Sequence, residues 1–181
     1  INECFFSIEK KHSFIKWALG GSTTIRRLAL KWKIFEGLAE DNFLQWIDHN
    51  SSKFVRRPLF DIVNSRMTYV SEDYIQPFEV LPIELGRGCQ FKCNFCSYPL
   101  IGKKKGTYIK GMDNIREELL YNYNEFGTTR YSFIDDTVNE SLEKIESLAD
   151  IVQSLPFEVQ WVGYNRLDLI WSRPQTKQLL K

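Results

Sequence analysis

The chain has 181 residues, with 24 basic and 23 acidic side chains and a net charge of +1. A nearly neutral chain gives no bulk electrostatic reason to expect a nucleic-acid or membrane partner. No stretch reaches the ~18 consecutive apolar residues of a membrane span, and the N-terminus lacks the order of a secretory signal. Because 43% of the residues are hydrophobic and 26% are charged, we expect a globular protein with its own core.

Residues 1–75 are predicted to form a mixed α/β or helical segment. Residues 14–19 have the composition of a strand that runs into a Gly-Gly turn. From about 24 to 47 the apolar side chains have a spacing compatible with a helix. Residues 56–70 are expected to hold further short elements.

Residues 76–181 follow a clearer pattern, and we place a domain boundary between residues 75 and 76, where Pro77 and Pro82 indicate extended backbone. Strands and helices are predicted to alternate beyond it. The predicted strands are 79–85, 130–134 and 157–162, and the predicted helices are 112–126, from about 139 to Pro156, and after Pro174. Asp113 is expected to cap the start of the first of these helices, and Gly127 to end it.

Strands connected by helices of this length predict βαβ units and a parallel sheet. Right-handed crossovers place the carboxyl ends of all the strands at one edge of such a sheet. Three polar segments follow the predicted strands: a cysteine loop at 89–96, Asp135–Asp136 and Asn165–Arg166. The sequence therefore predicts an active site at that edge.

The four cysteines are unevenly distributed, since Cys89, Cys93 and Cys96 lie close together and Cys4 is remote. This is not a disulfide framework, and it favours a reducing compartment, the cytoplasm. The spacing is C-x3-C-x2-C, and three thiolates on one loop can bind three irons of a [4Fe–4S] cluster and leave the fourth iron open.

Gly86 and Gly88 permit tight turns before the first of the three cysteines. Arg87 and Lys92 bring positive charge close to an anionic cluster.

Three other interpretations of the cysteines stay open. A structural zinc site needs four protein ligands, and the fourth would have to be Cys4, His12 or His49. A ferredoxin-type cluster needs a fourth cysteine in register, which does not follow in this sequence. Buried structural cysteines without a metal are the third alternative.

The motif C-x3-C-x-aromatic-C, with Phe95 before the last cysteine, resembles the signature of the radical S-adenosylmethionine (SAM) superfamily. Residues 81–111 resemble the subset often found behind a cobalamin-binding domain, together with related methylthiotransferase-like proteins. Residues 133–141 (FIDDTVNES) resemble a strand-end segment of the same subset. The resemblance covers residues 78–181 and implies an α/β fold, a partial (β/α) TIM-like barrel of the radical SAM type.

The resemblance implies that Cys89, Cys93 and Cys96 hold a [4Fe–4S] cluster and that Phe95 lies beside the adenine of SAM. SAM would bind the open iron through its amino and carboxylate groups. One electron would then cleave its C–S bond to give methionine and a 5′-deoxyadenosyl radical, which abstracts hydrogen from a substrate that the sequence does not identify. A low-potential electron donor similar to flavodoxin or ferredoxin is implied as the partner.

The resemblance places four further residues at SAM. Asp135 or Asp136 would meet the amino group, with capping of a helix N-terminus as the alternative role. Asn165 and Arg166 would meet the carboxylate, since arginine can bind a carboxylate with two hydrogen bonds. A surface loop is the alternative for the second pair.

The chain supplies only about three of the six strands of the barrel, so we expect it to be a piece of a longer protein or to need a partner. Residues 15–21 (IKWALGG) resemble a late strand of a cobalamin-binding domain. Because Asp48 and His49 are adjacent and do not form the D-x-H-x-x-G motif, we do not predict bound cobalamin. The sequence thus predicts a radical SAM enzyme, with a non-catalytic zinc or iron–sulfur module as the alternative.

Overall fold

The computed structural model describes residues 18–21, 33–36, 40–50, 60–96 and 108–180. The chain divides into two compact units, 1–60 and 61–181. This boundary lies before the predicted one at 75/76, because hydrogen bonds join residues 61–75 to the rest of the second unit. The Gly111 amide donates to the Val63 carbonyl at 2.8 Å, and the Met67 amide donates to Glu118 at 2.6 Å. No helix in the described residues is long and apolar enough to span a membrane.

The first unit contains two parallel strands, β1 (Ala18–Gly21) and β2 (Lys33–Glu36), and helix α1 (Glu40–Asn50). The prediction of a helix over 24–47 is therefore wrong at 33–36. This segment pairs with β1, and pairing with a distant strand overrides local helical spacing. The predicted strand at 14–19 lies partly outside the described residues, and β1 contains its last two positions.

Three parallel strands form the sheet of the second unit, in the order β3-β4-β5, and helices connect them. The elements are β3 (Val80–Glu84), α2 (Met112–Phe126), β4 (Arg130–Ile134), α3 (Leu142–Ser154), β5 (Gln160–Gly163), α4 (Leu167–Ser172) and α5 (Pro174–Leu179), with a short 3-10 turn at Ser71–Asp73. The predicted α/β alternation and parallel sheet are confirmed. Closure into a partial barrel stays a prediction.

The helices cover one face of this sheet. Side chains alternate along the strands, so that Tyr131 and Phe133 of β4 point into the core while Ile134 is 47% exposed. The core consists mainly of Leu81, Ile83, Leu85, Ile115, Leu119, Tyr131, Phe133, Val138, Ile145 and Leu148. On the other face Val80 and Val162 are also exposed.

Helix α2 has the predicted bounds, because its apolar residues keep one helical face throughout. Gly127 ends it, as predicted, in the left-handed conformation at φ 68°, with its amide donating to the Tyr123 carbonyl. The prediction that Asp113 caps the start is wrong. Gly111 is the capping residue, and Asp113 lies inside the first turn, where its charge complements the helix dipole.

Helix α3 begins at Leu142, a little later than predicted, because Ser141 is its N-cap. Strand β5 begins at Gln160 and not at 157, and α4 was not predicted. The Ser141 hydroxyl accepts a hydrogen bond from the Lys144 amide at 3.2 Å and so satisfies a donor that the helix itself leaves unpaired.

We expect Ser141→Ala to lower the free energy of unfolding by about 1 kcal/mol, measured by urea denaturation. Ser147→Ala is the matched control, because Ser147 lies within the same helix and alanine is the best helix former. Equal effects of the two substitutions would contradict the capping role of Ser141.

Burial raises the pKa of Tyr131, whose side chain is fully enclosed and whose hydroxyl donates to the Thr128 carbonyl at 2.7 Å. The folded protein therefore keeps this proton above pH 10.0, the ordinary tyrosine value, whereas the unfolded chain loses it. Below pH 10.0 the contribution of Tyr131 to the free energy of unfolding is fully present. As the pH rises further, that free energy falls by up to about 1.4 kcal/mol per pH unit for one group. We expect the free energy of unfolding, measured with urea between about pH 9 and 11, to depend less steeply on pH in Tyr131→Phe than in the parent protein. An equal slope would contradict this assignment.

Candidate metal and cofactor site

The cysteine loop leaves β3 at the carboxyl edge of the sheet. Gly86 forms an antiparallel bridge with Ile109, and the Arg87 amide donates to the Tyr108 carbonyl at 2.8 Å. A side chain at Gly86 would come within 3.0 Å of that same carbonyl oxygen. Gly88 has φ 103°, which favours glycine. The predicted turn is therefore confirmed at Gly88, whereas Gly86 is needed for the close approach of the Tyr108 carbonyl and not for a left-handed turn.

The three cysteines of the loop form no disulfide and are partly exposed. Loops from the other two strands reach them. The Thr137 hydroxyl, after β4, lies 3.1 Å from the Cys89 sulfur, and a guanidinium nitrogen of Arg166, after β5, lies 3.9 Å from the Cys93 sulfur. The predicted meeting of the three strand ends at one edge is therefore confirmed.

The donor chemistry of the loop fits a [4Fe–4S] cluster with one open iron, because the loop offers three cysteines outside any disulfide at the spacing of such a motif. In the part of the chain that the structure describes, no three His, Cys, Asp or Glu side chains converge as a metal site. The loop has to close for the sulfurs to face one point. Residues 89–96 form no helix or strand, and the Cys96 amide donates to the Cys93 carbonyl in a turn. Closure of the loop would therefore break no hydrogen bonds of a helix or a sheet.

The zinc alternative stays a prediction. Of the three candidates from sequence for a fourth ligand, Cys4 and His12 lie outside the described residues, and His49 lies in helix α1 of the first unit.

Asp135 is buried in an ion cluster directly behind the cysteine loop. Its carboxylate accepts hydrogen bonds from the Lys144 ammonium at 2.5 Å and from the Thr137 amide at 2.8 Å. Lys144 also pairs with Glu140 at 2.8 Å, and the second oxygen of Glu140 accepts the Tyr108 hydroxyl at 3.0 Å. Burial, reinforced by the negative charge of Glu140, raises the pKa of Tyr108. One buried cation is thus shared by two buried carboxylates.

Asp136 is partly buried, and its carbonyl accepts the Thr137 hydroxyl at 2.7 Å. The alternative role of Asp135–Asp136 as a helix cap is wrong, because Ser141 caps α3. Contact of either aspartate with SAM stays a prediction.

The Arg166 guanidinium is held on two sides. It donates two hydrogen bonds to Asp168, at 3.0 and 2.7 Å, and it lies 4.0 Å over the Phe91 ring of the cysteine loop. Hydrogen bonding to Asp168 raises the pKa of Arg166, and the same bonds lower the pKa of Asp168.

Asn165 lies next to this pair, and its amide nitrogen donates to the Gly163 carbonyl at 3.1 Å. Its amide oxygen is buried and has no hydrogen-bond partner in the described residues. Phe95, in the cysteine loop, is 93% exposed.

Several residues of the site were missed from sequence. The Asn139 amide binds both the amide and the carbonyl of Arg166, at 2.8 and 2.9 Å, and Gln90 donates to the Glu140 carbonyl at 2.6 Å. The i,i+4 spacing of Glu140 and Lys144 was a usable signal for their ion pair.

A cleft of about 860 Å³ opens beside Cys89 on the helical side of the loop. Its walls are the cysteine loop, residues 108–112 and the first two turns of α3.

Comparison of the chain with protein-family models, curated proteins and solved structures finds no match.

Proposed function

We propose that this chain binds a [4Fe–4S] cluster and SAM and belongs to a radical SAM enzyme. The main support for the proposal is that the loops after three neighbouring strands meet at the cysteines. Thr137 contacts Cys89, and Arg166 contacts Cys93. In parallel α/β folds, ligand sites assemble at this edge of the sheet.

Cys89, Cys93 and Cys96 would hold the cluster, which when bound supplies the electron for reductive cleavage of SAM. Arg166 places its positive charge beside Cys93, where it favours an anionic ligand set. Phe95 is exposed and therefore accessible to an adenine ring. Asp136, Asn165 and the buried Asp135 are the candidate polar contacts to SAM.

The uncovered sheet face supports the proposed barrel. Parallel sheets are normally covered on both faces, either by helices on each side or by closure into a barrel that turns one face inward. Val80, Ile134 and Val162 are apolar and exposed on that face. In the proposed enzyme this face would line the space in which SAM and the substrate are shielded from water.

Anaerobic reconstitution with ferrous iron and sulfide tests the proposal. We expect about four irons and four sulfides per chain, a broad visible absorption, and an EPR signal after dithionite reduction that changes when SAM is added. Stoichiometric colourless zinc without any response to SAM would instead identify a non-catalytic metal module. A cluster whose EPR signal does not change when SAM is added would also contradict the proposal of a radical SAM enzyme.

A further inference from the structure

The contact between Thr137 and Cys89 joins the site to the buried ion cluster. Thr137 is 3% exposed, and its hydroxyl oxygen lies 3.1 Å from the Cys89 sulfur and 2.7 Å from the Asp136 carbonyl. A hydroxyl has one proton, so it can donate to only one of these two acceptors at a time. With a free thiol at Cys89, the thiol can donate to Thr137 while Thr137 donates to the carbonyl.

A cysteine that ligates a cluster is a thiolate and has no proton to donate. When the cluster is bound, the donor of any hydrogen bond between these two side chains therefore has to be the Thr137 hydroxyl. Thr137 already reaches the Cys89 sulfur, so it becomes the donor by rotation of its hydroxyl proton while the rest of the loop closes around the cluster.

The backbone of Thr137 is fixed on both sides. Its amide donates to Asp135 at 2.8 Å, and its carbonyl accepts from the Lys144 ammonium at 3.4 Å. Lys144 in turn binds the other oxygen of Asp135. The buried ion pair therefore holds the hydroxyl against the cysteine loop.

We propose that Thr137 donates a hydrogen bond to the Cys89 sulfur when the cluster is bound and thereby makes the cluster easier to reduce, with Asp135 and Lys144 as positioning residues. This inference rests on the proposed function. Reduction adds negative charge to the cluster and its sulfurs, and a donor to a ligating sulfur stabilises that charge. Asp135 would then act on the cluster through Thr137, whether or not it also contacts SAM.

Thr137→Val tests the proposal, because valine has nearly the same shape and lacks the hydroxyl. The matched control is Thr137→Ser, which keeps the hydroxyl. The reduction potential of each reconstituted protein is measured by anaerobic titration with dithionite, followed by EPR. We expect Thr137→Val to make the reduction equilibrium about tenfold less favourable, a negative shift of about 59 mV for a one-electron couple, while Thr137→Ser stays close to the parent.

Equal potentials in the parent protein and in Thr137→Val would overturn this inference while leaving the proposed function intact. Failure of the parent protein itself to take up a cluster would instead overturn the proposed function. Circular dichroism melting checks that the valine variant folds. If it does not, Thr137→Ala replaces it, with the same expected direction and the same contradicting result.

Discussion

We expect Lys144→Met to lower the free energy of unfolding by about 3–5 kcal/mol, because it removes the partner of two buried carboxylates. The side chains of Asp135 and Glu140 are at most 2% exposed, and both bind the Lys144 ammonium. Without that charge, two carboxylates are left unpaired in an interior that solvates ions poorly. Urea denaturation monitored by circular dichroism measures the loss.

Two controls separate the buried charge from the loss of a lysine as such. Lys177→Met removes an exposed lysine from α5 and should change stability by less than about 0.5 kcal/mol. Combining Lys144→Met with Asp135→Asn and Glu140→Gln removes the unbalanced carboxylates and should recover most of the loss. Equal effects of Lys144→Met and Lys177→Met would contradict the ion cluster.

Phe133→Ala should cost about 3–5 kcal/mol, since it deletes a large side chain from the centre of the core. Phe133 is 1% exposed on the helix-covered face of β4, and its ring packs against Trp161 with a centroid separation of 5.1 Å. The expected cost combines the lost burial of apolar surface with the cavity that remains.

Phe78→Ala makes the same chemical change at a side chain that is 70% exposed, just before β3. We expect it to change stability by less than about 0.5 kcal/mol. Similar losses for the two variants in urea denaturation would mean that the helices do not cover the assigned face of the sheet.

The sequence predicts the second unit well where local patterns decide the structure. In α2 the spacing of Ile115 and Leu119 defines one buried face, and Gly127 supplies the left-handed residue that ends the helix. The meeting of the strand ends also follows from general rules, because right-handed crossovers leave no other edge for the loops.

Non-local pairing explains what the sequence does not predict. Lys33–Glu36 is a strand because it pairs with Ala18–Gly21, and helical spacing within 24–47 contains no information about that partner. The ion pair between Asp135 and Lys144 was not predicted either. Both side chains are buried, and burial depth is set by packing and not by sequence spacing.

The proposal that the three loop cysteines hold the cluster is tested most directly by changing all of them. Cys89→Ala, Cys93→Ala and Cys96→Ala are combined in one chain, which is reconstituted anaerobically beside the parent and a Cys4→Ala control. We predict that the triple variant loses nearly all of the iron and sulfide that the parent takes up, and that Cys4→Ala keeps it. Uptake by the triple variant equal to that of the parent would contradict the proposed site.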